Sequence, residues 1–404
     1  VTVDIRKKVP EIRFGEFDGE WSLKPFGSVF QEYTEKNHTE LPALTIVQGH
    51  GTVLRDESNR NIQYDKENLS GYKKIKEGDF IVHLRSFEGG LEKSNSDGIV
   101  SPAYHTFHSD DAVTNFYYPF FRSCFFVDVL LSSHVYGIRD GKSIDLDGMK
   151  IIDIPITSKS EQKKIGNIFS QLDSIINIAT IRYEKLLAFK KAMLQRMFLQ
   201  EGESVPQIRF VEFEEEWGYA LLKDIARKVI ERNDYREYTE TFTNSAEYGI
   251  ISQRDYFDHD ISNADNINGY YIVAENDFVY NPRISTNAPV GPINRNKLKR
   301  KGIMSPLYTV FRPHDIDYAY LEWFFKSQYW HTYMFYNGDN GARYDRFSIK
   351  DDVFFDMPIP FPHMEEQQKI GEYFDTLENA ITAQAQKIAK LKQMKSALVQ
   401  KMFI

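Results

Sequence analysis

From Ile165 onward the apolar positions step by alternating fours and threes: Ile165, Phe169, Leu172, Ile176, Ala179, Tyr183, Leu186, then Lys190, Met193 and Met197. The same steps return 205 residues later as Ile370, Phe374, Leu377, Ile381, Gln384, Ile388, Leu391, Lys395, Leu398 and Met402. A mean spacing of 3.5 residues over nearly five heptads predicts two long helices, each carrying a coiled-coil seam. At a rise of about 1.5 Å per residue, each helix is about 50 Å long. Ser158 and Glu161 have the spacing of a capping box, and Pro362 suits the opening turn of the second helix. Gly202 and Pro206 mark the exit from the first.

A stripe of this length must be buried. Each seam's simplest partner is its own copy, and the roughly 160 intervening residues allow the two helices to run antiparallel. Two amphipathic helices, each packed on its own domain, are the alternative. Lys190 and Lys395 interrupt both seams at the same place; they either snorkel or open the seam to a partner.

Outside the helices the period shortens. Residues 79–84 (Asp-Phe-Ile-Val-His-Leu) and 277–280 (Asp-Phe-Val-Tyr) read as strands between Gly/Asn/Asp-rich loops. Phe120-Phe121-Arg122-Ser123 and Phe324-Phe325-Lys326-Ser327 read as helical. These stretches are also copies. Val9-Pro10-Glu11-Ile12-Arg13-Phe14, with Phe17 and Trp21, returns as Val205-Pro206-Gln207-Ile208-Arg209-Phe210 with Phe213 and Trp217. Glu161-Gln162-Lys163-Lys164-Ile165-Gly166 returns as Glu366-Gln367-Gln368-Lys369-Ile370-Gly371. The offset grows from 196 at the tryptophans to 198 at Arg85/Arg283, 204 at Arg139/Arg343 and 205 in the helices. Only Arg55-Asp56 against Arg254-Asp255, at 199, falls one step off this trend. So long a period indicates whole domains rather than a solenoid. The expected class is α+β: two β-rich globular units, residues 1–157 and 201–361, separated by a two-helix antiparallel coiled coil from residues 158–200 and 362–404, with an internal pseudo-twofold repeat. The two units differ most at residues 47–68 against 245–266 and 87–97 against 285–301.

An aromatic content of 14% and a hydrophobic content of 42% suffice for globular cores. The single cysteine, Cys124, forms no internal disulfide and fits a reducing cytoplasm. No signal peptide is recognised, and the most apolar stretch, 116–135, is broken by Arg122 and Asp128, so no membrane partner is expected. The chain begins with Val1 rather than Met, as a trimmed or altered N-terminus would. Net charge is −8. Residues 161–198 hold seven Lys/Arg against three Asp/Glu, and residues 365–404 six against five, leaving −13 for the rest. Such a field repels phosphate, so any contact with nucleic acid must come from local patches or from a basic partner.

Catalytic signatures are missing. The closest approach to an adenine methyltransferase tetrad is Tyr280-Asn281-Pro282-Arg283, without the second proline and the aromatic, and no phosphate-binding loop is present. His105 and His108 with Asp110-Asp111 have the look of a metal cluster, but Thr309 and Arg312 replace the histidines in the second copy; a surface loop is the better interpretation. Asp258-His259-Asp260 lacks the Gly and Glu of a calcium loop, and one cysteine cannot make a zinc knuckle. No catalytic residues and no metal site are expected.

The blocks Ile154-Pro155-Ile156 and Met357-Pro358-Ile359, each followed by E-Q-x-K-I-G and a long helix, resemble the specificity subunit of type I restriction–modification systems. The resemblance spans the chain. It implies a non-catalytic protein whose globular units are target recognition domains, each reading half of a bipartite, asymmetric site in double-stranded DNA. It further implies that the coiled coil docks two modification (methyltransferase) subunits, which supply S-adenosylmethionine and adenine-N6 methylation. Restriction subunits would add ATP- and Mg-dependent cleavage. A coiled-coil scaffold that binds no DNA is the rival, as is a stand-alone DNA enzyme.

Major-groove readout needs Arg/Lys for guanine, Asn/Gln for adenine, and phosphate anchors beside them. The repeat-matched basic positions Arg55/Arg254, Arg85/Arg283 and Arg139/Arg343 are the candidate anchors, with Lys142 and Arg346 close to the last pair. Candidate base readers lie in the divergent loops: Gln48, Asn59, Arg60 and Asn61 in the first unit, Gln253, Asn287, Asn294 and Arg295 in the second. Asp79 and Asp277 are expected to be turn residues.

Overall fold

The computed structural model describes residues 8–57, 66–83, 90–137, 143–200, 202–256, 267–340 and 345–404. The chain divides into two compact units. The first comprises Val1–Ile181 with Ala385–Ile404, and the second Arg182–Gln384. Each unit therefore contains one half of each long helix.

In the first unit a four-stranded antiparallel sheet runs in the order Gln31–Tyr33, Tyr104–His108, Phe80–His83, Glu92–Lys93. The central strand is apolar on both faces because both are covered. Phe80 and Val82 enter an aromatic core with Phe26, Phe30, Phe107 and Phe121. Ile81, pointing the other way, joins Leu44, Ile75 and Val100 beneath the hairpin Leu44–Val47/Gly51–Leu54. The second unit repeats this with Ala226–Lys228, Thr309–Pro313, Phe278–Tyr280 and Ile293–Arg295. There Phe278 and Tyr280 face one core, and Val279 faces the other. The predicted helical stretches are the ends of Thr114–Phe121 and Tyr318–Lys326. Pro155 and Pro358 lie in two-stranded pairs with Ser22–Pro25 and Gly218–Leu221, where a missing amide donor is tolerated.

The long helices are Lys159–Arg196 and Met364–Met402. No seam position on either is exposed. In the first unit Lys395 is ion-paired with Asp173, and in the second Lys190 is ion-paired with Glu378 at 2.6 Å. With Phe169 against Phe403 in the first unit and Phe374 against Phe198 in the second, partner positions fall on one helix as they rise on the other, so the helices run antiparallel within both units, as expected. Each interrupting lysine has a half-exposed acidic partner across the seam.

Both helices end in an aromatic core. Phe403 packs against Trp21, Phe116, Phe120 and Phe169 in the first unit. Phe198, its repeat mate, packs against Tyr320, Phe324 and Phe374 in the second. The first repeat's helix thus completes the core of the second unit, and the second repeat's helix completes the first. Two expected caps differ in detail. Ser158 Oγ accepts the Glu161 amide at 3.2 Å, but the Glu161 carboxylate points into the domain rather than back to Ser158. Pro362 precedes the second helix, which starts at Met364.

Candidate nucleic-acid interface

Where the repeats agree most strongly, the side chains hold the fold. Glu161 receives Arg13 Nε at 2.7 Å, Arg13 Nη2 at 2.8 Å and Trp21 Nε1 at 3.1 Å, with the Thr157 hydroxyl as a further donor. Burial pushes this carboxyl up, but the bonds from Arg13, Thr157 and Trp21 outweigh it and hold the group below the usual carboxylate range. Glu366 receives Arg209 at 2.7 and 2.8 Å and Trp217 at 3.0 Å. Gln162 and Gln367 each accept the backbone amide of a helix N-cap residue, Val113 at 3.1 Å and Asp317 at 2.9 Å. Gly166 and Gly371 let those helix starts approach: an added Cβ would lie 2.9 Å from Phe116 N and 2.8 Å from Ala319 Cβ. Lys164 covers Phe14 and Phe17, as Lys369 covers Phe213. The repeated blocks are thus the joint between each domain and its long helix.

The candidate anchors sort differently. Arg55 N donates to Ala43 O at 3.0 Å, and the residue in the matching place after the second hairpin is Gln253, whose N donates to Thr241 O at 2.8 Å. Arg55 therefore corresponds to Gln253, not to Arg254, and the offset of 199 dissolves into the regular 198. Arg55 is half-buried, with Nη1 on the Tyr72 hydroxyl at 2.7 Å. Gln253 is half-buried; Arg254 beside it is exposed.

Asn294 and Arg295 are not free to read bases. Asn294 is 3% exposed and its amide donates to Asn244 Oδ1 at 2.6 Å and to Ser245 O at 3.1 Å, while Lys326 donates to its oxygen. Arg295 forms an ion pair with Glu322 at 2.9 Å, with angles outside those of a hydrogen bond. In the first unit Glu92 takes the place of Asn294 and Arg122 that of Lys326. Glu92 accepts Gly49 N at 2.8 Å and Gly51 N at 3.2 Å, which fixes the exposed hairpin turn that carries Gln48. The polar link between sheet, helix and hairpin therefore differs in kind between the copies.

Asp79 and Asp277 are more than turn residues. Both are buried. Asp79 pairs with His108 at 2.5 Å and accepts the Tyr33 hydroxyl; Asp277 takes Arg312 at 2.7 and 2.9 Å. The bond to Asp79 raises the His108 pKa above its ordinary value, and the bond to Asp277 raises that of Arg312. His105 and His108 lie on a strand, not a surface loop, and His105 pairs with Glu32 at 2.7 Å. No cluster of three or more potential metal ligands occurs among the described residues. The Tyr280-Asn281 pair is spent on the fold as well: the Tyr280 hydroxyl donates to Val290 O at 2.9 Å, and Asn281 Nδ2 to Asn244 O at 2.9 Å.

Two of the candidate anchors are brought together. Arg283 and Arg346 are exposed partners in an isolated antiparallel bridge, and Asn287 is exposed in the same loop. Arg60, Asn59, Asn61, Arg85, Arg139, Lys142 and Arg343, together with Asp258-His259-Asp260, lie outside the described residues. The sequence did not single out the Asp79–His108 and Asp277–Arg312 pairs. Its one available signal was that position 108 changes from His to Arg while the acid stays.

Comparison with known proteins agrees with this architecture. Residues 214–393 match the family model for the type I restriction modification DNA specificity domain. The type I restriction enzyme MjaVIII specificity subunit of Methanocaldococcus jannaschii is 24% identical over 265 residues, 61% of this chain. The chain spans 60% of that relative's length. The solved S subunit of a type I restriction–modification system from M. genitalium shares the fold with a TM-score of 0.60 at 13% identity, covering 98% of this chain and 99% of that one. A second structure, described as the basis of complex assembly and conformational transition of the type I R–M system, superposes with a TM-score of 0.52 at 15% identity. It covers 96% of this chain and 98% of that one. No helix among the described residues is long and apolar enough to cross a membrane.

Proposed function

We propose that this chain, a relative of type I restriction–modification specificity subunits, is the DNA-reading subunit of such a complex in the cytoplasm. Each globular unit reads one half of a bipartite, asymmetric duplex target. The paired helices dock two adenine-N6 methyltransferase subunits, and through them the restriction subunits. S-adenosylmethionine, ATP and Mg belong to those partners, and this chain contributes no catalytic group.

The supporting observation is the contrast between what the copies keep and what they change. Sheet order, the Arg/Trp/Glu joint and the helix-terminal phenylalanine are the same in both units. The polar groups that fix the hairpin turns, Glu92 in one and Asn294 in the other, are not. A constant scaffold that carries different loops is what two readers of unlike half-sites require. With a net charge of −8, the affinity for phosphate must be concentrated in patches or supplied by partners.

Methylome sequencing of cells co-expressing the chain with its cognate modification subunit tests this. One bipartite motif, methylated on both strands, is expected; absent or random methylation rejects the proposal. Exchanging residues 1–157 for those of a relative should alter one half of the motif and leave the other. A pull-down without DNA that recovers no methyltransferase would favour the scaffold alternative.

A further inference from the structure

We propose that Arg283 and Arg346 act together as a single clamp on a phosphodiester of the DNA backbone. This rests on the DNA-reading function proposed above and specifies what the second unit grips there, and with which groups.

Phe347 N donates to Pro282 O at 2.7 Å and Ile284 N to Asp345 O at 3.1 Å, and between these two bonds Arg283 faces Arg346. Directly opposed residues of an antiparallel pair project from the same face, with Cβ atoms about 5 Å apart. The neighbours show which face that is. Phe347 is 3% exposed, and Pro282 and Ile284 are half-buried, so the alternate positions Arg283 and Arg346 point outward.

Neither guanidinium has an ion-pair partner among the described residues. Four other arginines of this unit do face carboxylates: Arg209 holds Glu366, Arg295 faces Glu322, Arg300 holds Glu240 and Arg312 holds Asp277. In a chain of net charge −8, two like charges set side by side and left without a counter-ion repel each other. An anion that bridges them removes that repulsion. Two planar, permanently charged donors projecting from opposed positions on one face suit the paired oxygens of a phosphodiester. Their backbones are tied to each other and to the sheet, so they fix position rather than identify a base. The adjoining tip is closed by two bonds between Ser285 and Ala288, both 3.0 Å, and displays Asn287 beside the clamp.

The test uses the full chain assembled with its modification subunits. Arg283→Ala, Arg346→Ala, the double alanine variant and the double lysine variant are titrated against two duplexes across a range of KCl. One duplex carries the motif found by methylome sequencing and the other a scrambled sequence. Either alanine should reduce the slope of log affinity against log salt by up to about 1, and the double alanine variant by about 1 in total because the pair neutralises one phosphate, equally on both duplexes and with the methylated motif unchanged. The double lysine variant should retain the wild-type slope. Variants that bind as the wild type does, or whose motif changes in its second half, overturn the clamp while leaving the DNA-reading function standing. A wild-type complex that binds neither duplex overturns both.

Discussion

Arg13 donates to both oxygens of Glu161, at 2.7 and 2.8 Å, across 148 residues of chain. This bond joins the first recurring block of the repeat to the second, and Arg209 with Glu366 does the same in the other copy. Glu161→Ala leaves the Arg13 guanidinium and the Trp21 indole N–H without their acceptor. Loss of one partner of a buried pair costs about 3 kcal/mol. Urea unfolding followed by Trp fluorescence should register that loss, and Glu366→Ala should match it. A change below about 1 kcal/mol would show the joint to be dispensable.

The two helix ends make a paired experiment. Phe403→Ala should remove about 3 kcal/mol from the first unit and Phe198→Ala a similar amount from the second. Hydrogen exchange resolves the two. Slowly exchanging amides of strand Phe80–His83 should respond to Phe403→Ala, and those of Phe278–Tyr280 to Phe198→Ala. Equal effects of both variants on both strands would contradict the separate cores.

The seam ion pairs are half-exposed, so each is worth only about 0.5 kcal/mol. Their importance is orientation. Lys190→Glu sets like charges against Glu378 and should lower the melting temperature. Adding Glu378→Lys should restore it. A double variant no more stable than the single one would place the two side chains out of reach of each other.

The His108–Asp79 pair should make the first unit's stability fall as pH rises through neutrality, opposite in sign to buried His331 of the second unit, whose pKa is held down to about 4. The folded His108 pKa is raised by its bond to Asp79, so this group's stabilisation is complete below the unfolded value near 6.5. It is lost as pH rises through the folded value. Unfolding midpoints of the first unit should therefore fall as pH rises above about 6.5, and His108→Arg, the second copy's solution, should abolish the fall. A wild-type midpoint that is flat or rises over that range refutes the pair's contribution.

Local periodicity carries further than any single residue here. The seams, their 205-residue recurrence and the central strands were all legible, because a 3.5-residue or two-residue period is written along the chain itself. The antiparallel direction was also within reach, since two stripes without cores of their own have few ways to bury each other. Individual polar residues were another matter. Arg55 and Arg254 share a letter, yet the hairpin hydrogen bonds place Gln253 opposite Arg55. Asn294 and Arg295 sit in a divergent segment and looked like readers, but Asn244 and Glu322, 50 and 27 residues away, claim them.

The same division runs through the repeated blocks. Their duplication was plain from the residues alone, and so was the inference that the chain performs a task twice. What each block does became visible only in three dimensions. A glutamate in E-Q-x-K-I-G could cap its own helix, bind a partner or accept an arginine, and the choice depends on which groups are brought within 3 Å. That distance is set by the packing of segments some 150 residues apart, for which no local pattern exists.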